Sequence, residues 1–321
     1  MEPSGRLVSV VVPSFNRRDH LEGFITPILA DPKTGEVIVV VDGSTDGSIE
    51  FLTEWSLRQD RIRAVFQENS GPAVARQRGV EAARCDVVLL LDDDVRVEPG
   101  LVTAHLNWHS DESNRLVLGY MPTHVPVPRR PGQASTIMYA EDYENTCRLY
   151  EMSPADIHKN LWAGNISMKR SDALRIGLRA DGVLSYHEDL RFGIRCQLAG
   201  LEAVFDRSLL SWHWHRANLR KLARDARRSG RGRAALVGEF PDLCEDLDPL
   251  GHLSSSETLV YHMFGSLLLS PVVAMVSMAI SFLAGRMRMW KLELLAARVL
   301  RLLALTSAYE RAVGQRRSKR G

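Results

Sequence analysis

From Leu7 to about Leu118, short apolar runs alternate with stretches whose apolar residues recur at helical spacing. Val8-Ser9-Val10-Val11-Val12 predicts a strand, and Arg18 to Leu29 a helix. Glu36 to Val41 predicts a second strand, followed by a helix that opens near Asp46 and runs from Ser48 to Ser56. Ile62 to Phe66, Ala73 to Ala83 and Asp86 to Leu91 predict a third strand, a third helix and a fourth strand. Such alternation predicts an α/β domain with a mostly parallel sheet covered by helices on both faces. The fourth strand, Val87-Val88-Leu89-Leu90-Leu91, has no polar position, as expected of a strand buried on both faces.

The pattern changes after Arg216. Between Arg216 and Arg233 eight arginines and lysines face one acid, Asp225, which predicts a solvated basic helix that Gly230 and Gly232 end or bend. From Thr258 to Gly285 there is no Asp, Glu, Lys or Arg, and residues 259–284 are rich in Leu, Val, Met and Phe. That exceeds the roughly 20 residues needed to span a bilayer, yet Pro271 divides it into halves each too short to cross alone. Basic flanks on both sides also disfavour a single crossing. A re-entrant hairpin or interfacial helix pair is expected, followed by an amphipathic helix over 290–312 carrying Arg298 and Arg301. A helical pair packed on the rest of the chain or in a dimer is the alternative.

Composition changes this picture little. Hydrophobic content of 45% and charged content of 25% are ordinary for a globular chain, and a net charge of +2 predicts no nucleic-acid partner. Local patches matter more, including the tail Arg316-Arg317-Ser318-Lys319-Arg320. Cys85, Cys147, Cys196 and Cys244 form no C-x-x-C pair and follow no secretory leader, which fits a reducing cytosol and no zinc site.

Ligands of parallel sheets bind beyond the carboxyl ends of the strands, and polar residues stand at those ends. The first strand runs into Pro13-Ser14-Phe15-Asn16-Arg17, the second into Asp42-Gly43-Ser44-Thr45-Asp46-Gly47, and the fourth into Asp92-Asp93-Asp94. Three adjacent carboxylates stay ionised together most readily around a cation, and oxygen ligands favour Mg²⁺ or Mn²⁺. A solvated turn is the plainer reading of the same triplet. Asp42 can accept from a base imide N–H, Phe15 can stack on a base and Arg17 can face a phosphate. Taken singly these are a turn former, a core residue and a helix-start cation; jointly they suit a nucleotide.

Val11-Val12-Pro13-Ser14-Phe15-Asn16-Arg17, Val41-Asp42-Gly43-Ser44-Thr45-Asp46, Gly71-Pro72-Ala73-Val74-Ala75-Arg76 and Asp92-Asp93-Asp94 resemble the successive signatures of inverting family-2 glycosyltransferases. The resemblance covers roughly residues 7 to 240 and implies the GT-A fold, a Rossmann-like sheet with helices on both faces. It implies a nucleotide-diphosphate-sugar donor, usually UDP-linked, with a divalent metal on the pyrophosphate. Pro13, Phe15, Arg17, Asp42, Gly71, Arg76, Asp92 and Asp93 would then bind the donor, with Asp42 on the base. Asp92 and Asp93 would meet the ribose or metal, and Asp94 would be the most direct metal ligand. Gln77 departs from the family, which commonly has Asn there.

Trp162-Ala163-Gly164-Asn165-Ile166-Ser167 resembles the acceptor-side segment. Gly164 would permit close backbone approach and Trp162 could stack on a sugar face, or be a buried Trp beside a tight turn. His187-Glu188-Asp189, with Arg195 and Gly200 following, looks like the family's acidic pair at a helix start, in which the second acid is the general base. Helix capping is the plain alternative, and Arg191 stands where another acid is frequent. In Trp212-His213-Trp214-His215 strand alternation puts both histidines on one face. The resemblance favours His213 over His215 as a ligand completing the metal shell.

The resemblance thus implies an inverting, metal-dependent glycosyltransferase of envelope polysaccharide, glycolipid or other glycoconjugate synthesis. It would act at the cytoplasmic face of a membrane, where nucleotide sugars reside, on a glycan, lipid-linked or small-molecule acceptor. A sugar nucleotidyltransferase would need a Gly-rich loop where Pro13-Ser14-Phe15-Asn16 stands. A non-catalytic nucleotide-sugar-binding membrane subunit would lack the base, and a dehydrogenase would need G-x-G-x-x-G after the first strand. The expected division is a catalytic domain over 1–240 (nucleotide-sugar half 7–118, acceptor half 119–215, basic segment 216–240) and a helical region over 241–321.

Overall fold

The computed structural model describes residues 7–111, 114–179, 186–214, 217–265 and 270–320. His215 and Arg216 lie outside the described residues, as does the stretch 266–269 inside the apolar segment. Two compact units emerge, one of residues 1–123, 144–182 and 189–214, the other of 124–143, 183–188 and 215–321.

The first unit opens with β1 (Val8–Ser14), α1 (Arg18–Ala30), β2 (Thr34–Asp42), α2 (Ser48–Arg58), β3 (Ile62–Gln67), α3 (Pro72–Ala82) and β4 (Val87–Leu91). All seven lie within about two residues of the spans the apolar pattern predicts. There follow β5 (Val95–Val97), α4 (Leu101–Asn107), β6 (Arg115–Tyr120), α5 (Ala134–Met152, of which residues 144–152 belong to this unit), β7 (Asn165–Lys169), α6 (Arg170–Ile176), α7 (Glu188–Leu198, from Asp189 onward in this unit) and β8 (Glu202–His213). The eight strands are ordered β3-β2-β1-β4-β7-β6-β8-β5. β3, β2, β1 and β4 run parallel, whereas β7 is antiparallel to both β4 and β6, and β5 to β8. The sheet is therefore parallel in its first half and mixed in its second. Every residue of β4 is buried, and its carboxyl end delivers Asp92 to the rim. Antiparallel β7 enters at that same rim, pairing Asn165 with Leu91, so its leading loop arrives beside the aspartates.

The second unit is built on α8 (Leu219–Glu239), α9 (Ser255–Phe264), α10 (Ser270–Arg286) and α11 (Trp290–Arg320). α8 runs unbroken through Gly230 and Gly232, contrary to the expectation that they end or bend it. Their absent side chains allow close packing: a Cβ would lie 2.2 Å from the Leu305 carbonyl oxygen at Gly230 and 2.6 Å from that of Tyr186 at Gly232. Nor is the helix uniformly solvated. Ala223, Ala226, Ser229, Ala234 and Leu236 are buried, while Arg220, Arg224, Arg227 and Arg231 stay exposed. Among the described residues no helix is long and apolar enough to cross a membrane.

Candidate active site

Two loops of the first unit are stapled together at the strand ends. The Asn16 N–H donates to Ser44 Oγ at 2.9 Å, and the Asn16 carboxamide oxygen accepts from the Thr45 N–H at 2.8 Å. Asp46 accepts from the Arg18 N–H at 2.8 Å, which is why a short polar residue stands at each position. Pro13 is half-buried in β1, while Phe15 projects with 48% of its surface exposed. Asp42 is buried and braces the next loop, accepting from Gln67 Nε2 (2.6 Å) and the N–H groups of Ser70 (2.7 Å) and Gly71 (2.9 Å). Gly71 adopts a φ of +90°, a region that only glycine enters freely. A carboxylate offers about four acceptor directions, so these bonds leave Asp42 one to spare.

The aspartate triplet is divided among two arginines and a histidine. Arg17 lies 3.4 Å from Asp93 through Nε and 3.6 Å from Asp94 through a terminal nitrogen. Asp92 instead accepts from Arg76 at 2.6 Å, and the same guanidinium reaches Asp189 at 3.1 Å. The Asp189 carboxylate also accepts from the Ala163 N–H at 3.2 Å. Arg76, buried near the start of α3, thus joins the end of β4 to the start of α7, where Asp189 lies 113 residues from Arg76 itself. Asp94 Oδ1 lies 3.3 Å from His213 Nε2, held there because the Trp214 N–H donates to the Asp94 carbonyl. His213 is buried, whereas Trp212 and Trp214 are exposed, as strand alternation requires.

Burial raises the Asp93 carboxyl to about 6; Arg17 pulls it down, and Asp94 and Asp92 push it up. Asp189 is also raised above the ordinary carboxylate range by burial, with Arg76 opposing and Asp92 reinforcing the shift. Because folding raises the Asp93 value, its ionisation costs stability: the cost is absent below about 3.8, grows with pH, and is complete above about 6. Asp93→Asn is therefore expected to melt several degrees above wild type at pH 7.5 in chelator, and level with it near pH 4, from about 2 kcal/mol of relieved strain. Equal melting differences at the two pH values would contradict this.

The remaining predicted residues divide. Gly164 lies against the triplet: a Cβ there would come 2.7 Å from Asp92 Oδ2 and 2.8 Å from Met121, and its carbonyl accepts from the Asp92 N–H. Trp162 is half-buried. Asn165 is buried with its carboxamide oxygen on His105 Nε2 (2.9 Å) and its NH₂ on the Leu209 carbonyl (3.0 Å). His187 and Glu188 belong to the second unit. There the half-buried His187 imidazole bonds Ser229 Oγ at 2.8 Å, and loss of solvation, with Arg233 nearby, brings its pKa down to about 3. Gln77 keeps the work of an amide by accepting from the Leu178 N–H at 2.8 Å.

Sequence reasoning passed over Gln67, Ser70 and the Ala163 N–H, which orient Asp42 and Asp189. It also missed the buried network in which Ser167 Oγ meets His105 Nδ1 (2.9 Å) and His109 Nε2 (2.8 Å) beneath the rim. The spacing of His105 and His109 along one helical stretch is the only sequence signal for that network. Among the described residues no three His, Cys, Asp or Glu side chains gather closely enough to hold a metal alone. Asp94 with His213 forms a two-donor pair, and such a pair suits a divalent cation whose other ligands come from substrate phosphates.

Residues 9–174, more than half of the chain, match the profile described as Glycosyl transferase family 2. TuaG of Bacillus subtilis (strain 168), named for teichuronic acid biosynthesis, is 41% identical over 90 residues, 27% of this chain and 36% of its own length. YfnE, an uncharacterized glycosyltransferase of the same organism, is 24% identical over 252 residues, 64% of either chain. The chain thus spans about a third of the one relative and under two thirds of the other. Among solved structures, the mannosyltransferase PcManGT from Pyrobaculum calidifontis, in complex with GDP-Man and Mn²⁺, superposes with a TM-score of 0.59 over 96% of this chain and 88% of its own. At 17% identity that likeness shows the fold, which is GT-A with a helical C-terminal region.

Proposed function

The chain belongs to glycosyl transferase family 2, and from that membership we propose that it moves a sugar from a nucleotide-diphosphate donor to a hydroxyl acceptor with inversion at the anomeric carbon. The observation that carries this reading is the Arg76 bridge, which holds Asp189 beside the aspartate triplet. A general base must stand within hydrogen-bond reach of the acceptor hydroxyl, on the face of the sugar opposite the departing diphosphate. Asp189, tied through Arg76 to the end of β4, is the carboxylate we assign to that position, and its raised proton affinity supports the role of base.

On the donor side, Phe15 offers an exposed ring to the base, Asp42 an acceptor to its imide N–H, and Arg17 a cation to the diphosphate. Asp94 and His213 would hold Mg²⁺ or Mn²⁺, which when bound supplies positive charge to the leaving diphosphate. The GDP-Man and Mn²⁺ bound by the structural neighbour support a nucleotide-sugar donor and a divalent metal. TuaG's name supports an envelope-glycan acceptor.

The proposal includes attachment of the second unit to the cytoplasmic face of a membrane. The support is α10, which buries its small residues Ala274, Ser277, Ser281 and Ala284 and exposes Val272, Met275, Val276, Ile280, Phe282 and Leu283. An unpartnered apolar face of this size gains most by entering a lipid interface. The test of the catalytic reading is nucleotide release from UDP-, GDP- and dTDP-sugars in the presence of membrane extract. One donor should be turned over and chelator should abolish it; turnover indifferent to chelator removes the metal from Asp94 and His213.

A further inference from the structure

A cavity of about 360 Å³ lies within the second unit, between α8, α10 and α11. Small apolar residues make up much of its lining, Pro271 and Ala274 from α10 and Ala304, Ala308 and Ala312 from α11, with Ser307 and Gln315 of α11 as uncharged polar members. Around it stand three arginines, Arg227 and Arg231 one turn apart on α8, and Arg311 on α11. Among the described residues no carboxylate lines it. Neighbouring cations of this unit are already engaged: Arg298 with Glu141 (2.9 Å), Arg301 with Asp142, Lys221 with Asp225 (3.3 Å), and Arg316 with the Ala234 carbonyl (3.0 Å). Three arginines lining one space among small residues suit an anion with several oxygens, and a phosphate matches the planar guanidinium fork best.

The source of that phosphate follows from α10. The helix that supplies Pro271 and Ala274 to the cavity turns Val272, Met275 and Val276 outward beside them. A soluble phosphate would satisfy the arginines and leave this apolar face in water; a phospholipid satisfies both, with headgroup in the cavity and acyl chains along the helix. We propose that this cavity is a headgroup site for an anionic membrane phospholipid. The inference rests on the membrane attachment proposed above, and adds to it a defined receptor where diffuse basic charge alone would give only surface attraction.

The test is vesicle flotation of the full chain with phosphatidylcholine alone or with about one-third phosphatidylglycerol, at physiological salt. Wild type should prefer the anionic vesicles by about 10-fold or more. Arg227→Gln with Arg231→Gln should remove most of that preference while binding to neutral vesicles persists. Arg220→Gln with Arg224→Gln, an equal charge change on the same helix outside the cavity, should retain it. Equal loss in both double variants means diffuse attraction and overturns the site, as does undiminished preference in the first. A melting-temperature rise with millimolar inorganic phosphate, abolished by the cavity variant and without any vesicle preference, assigns a soluble ligand and overturns the lipid. If wild type floats with neither vesicle, the membrane attachment itself falls. Phe282→Ser with Leu283→Ser separates the two ideas, since it should weaken binding to both vesicle types alike.

Discussion

Asp189→Asn is expected to lower turnover by about 10²- to 10⁴-fold while the donor binds within a few-fold of wild type. The amide keeps the size of the carboxylate and can still accept from the Ala163 N–H, so the start of α7 should hold its place. What it cannot do is take a proton from the acceptor hydroxyl. Donor affinity by calorimetry and transfer rate under saturation read the two effects separately. Turnover within tenfold of wild type would remove Asp189 from the role of base, and a parallel loss of donor affinity would recast it as a binding residue.

Arg76→Met should have the second largest effect, through both fold and rate. It leaves Asp92 and Asp189 facing one another without the guanidinium that now bonds each. Removing one partner of a fully buried ion pair costs about 3–5 kcal/mol. Both carboxylates here keep 31% of their side-chain surface, so about 1–3 kcal/mol is the expected loss. Catalysis should suffer more, by about 10²-fold, because the base loses its anchor and a displacement near 1 Å is enough for that. Arg76 also lowers the proton affinity of Asp189 against burial, so the acid limb of the pH–rate profile should move to higher pH in the variant. An unmoved limb with reduced stability would make Arg76 purely structural.

Much of the first unit was legible because its signals are local. β4 shows itself as five consecutive Val and Leu residues, and β1 and β2 end in motifs whose residue types are dictated by turn chemistry. The family signatures fall on the rim for the same reason, since in a parallel sheet the loops after β1, β2 and β4 open on one edge. What stayed hidden is pairing across sequence distance. Nothing local to Arg76 says that it meets Asp189, or that the carboxamide of Asn165 turns inward to His105. Buried polar groups choose their partners by three-dimensional proximity, which one-dimensional spacing does not encode.

The second unit misled in an instructive way. Gly230 and Gly232 looked like helix breakers because glycine in a helix costs about 1 kcal/mol, but that cost is offset where two backbones must approach closely. The absence of charge from Thr258 to Gly285 and its division into two helices were plain, whereas the choice of which face of α10 turns outward was not. A run that is hydrophobic on every side carries no mark of which face meets protein.

The central claim is that the aspartate rim and Asp189 lie on opposite sides of the reacting carbon. The anomeric configuration of the first-formed glycoside tests this most directly, by NMR on the product made with an α-linked nucleotide sugar and the acceptor found in the extract. A β-linked product is predicted, because a base at Asp189 admits attack only from the face opposite the diphosphate. An α-linked product would contradict it and require a different nucleophile in the site.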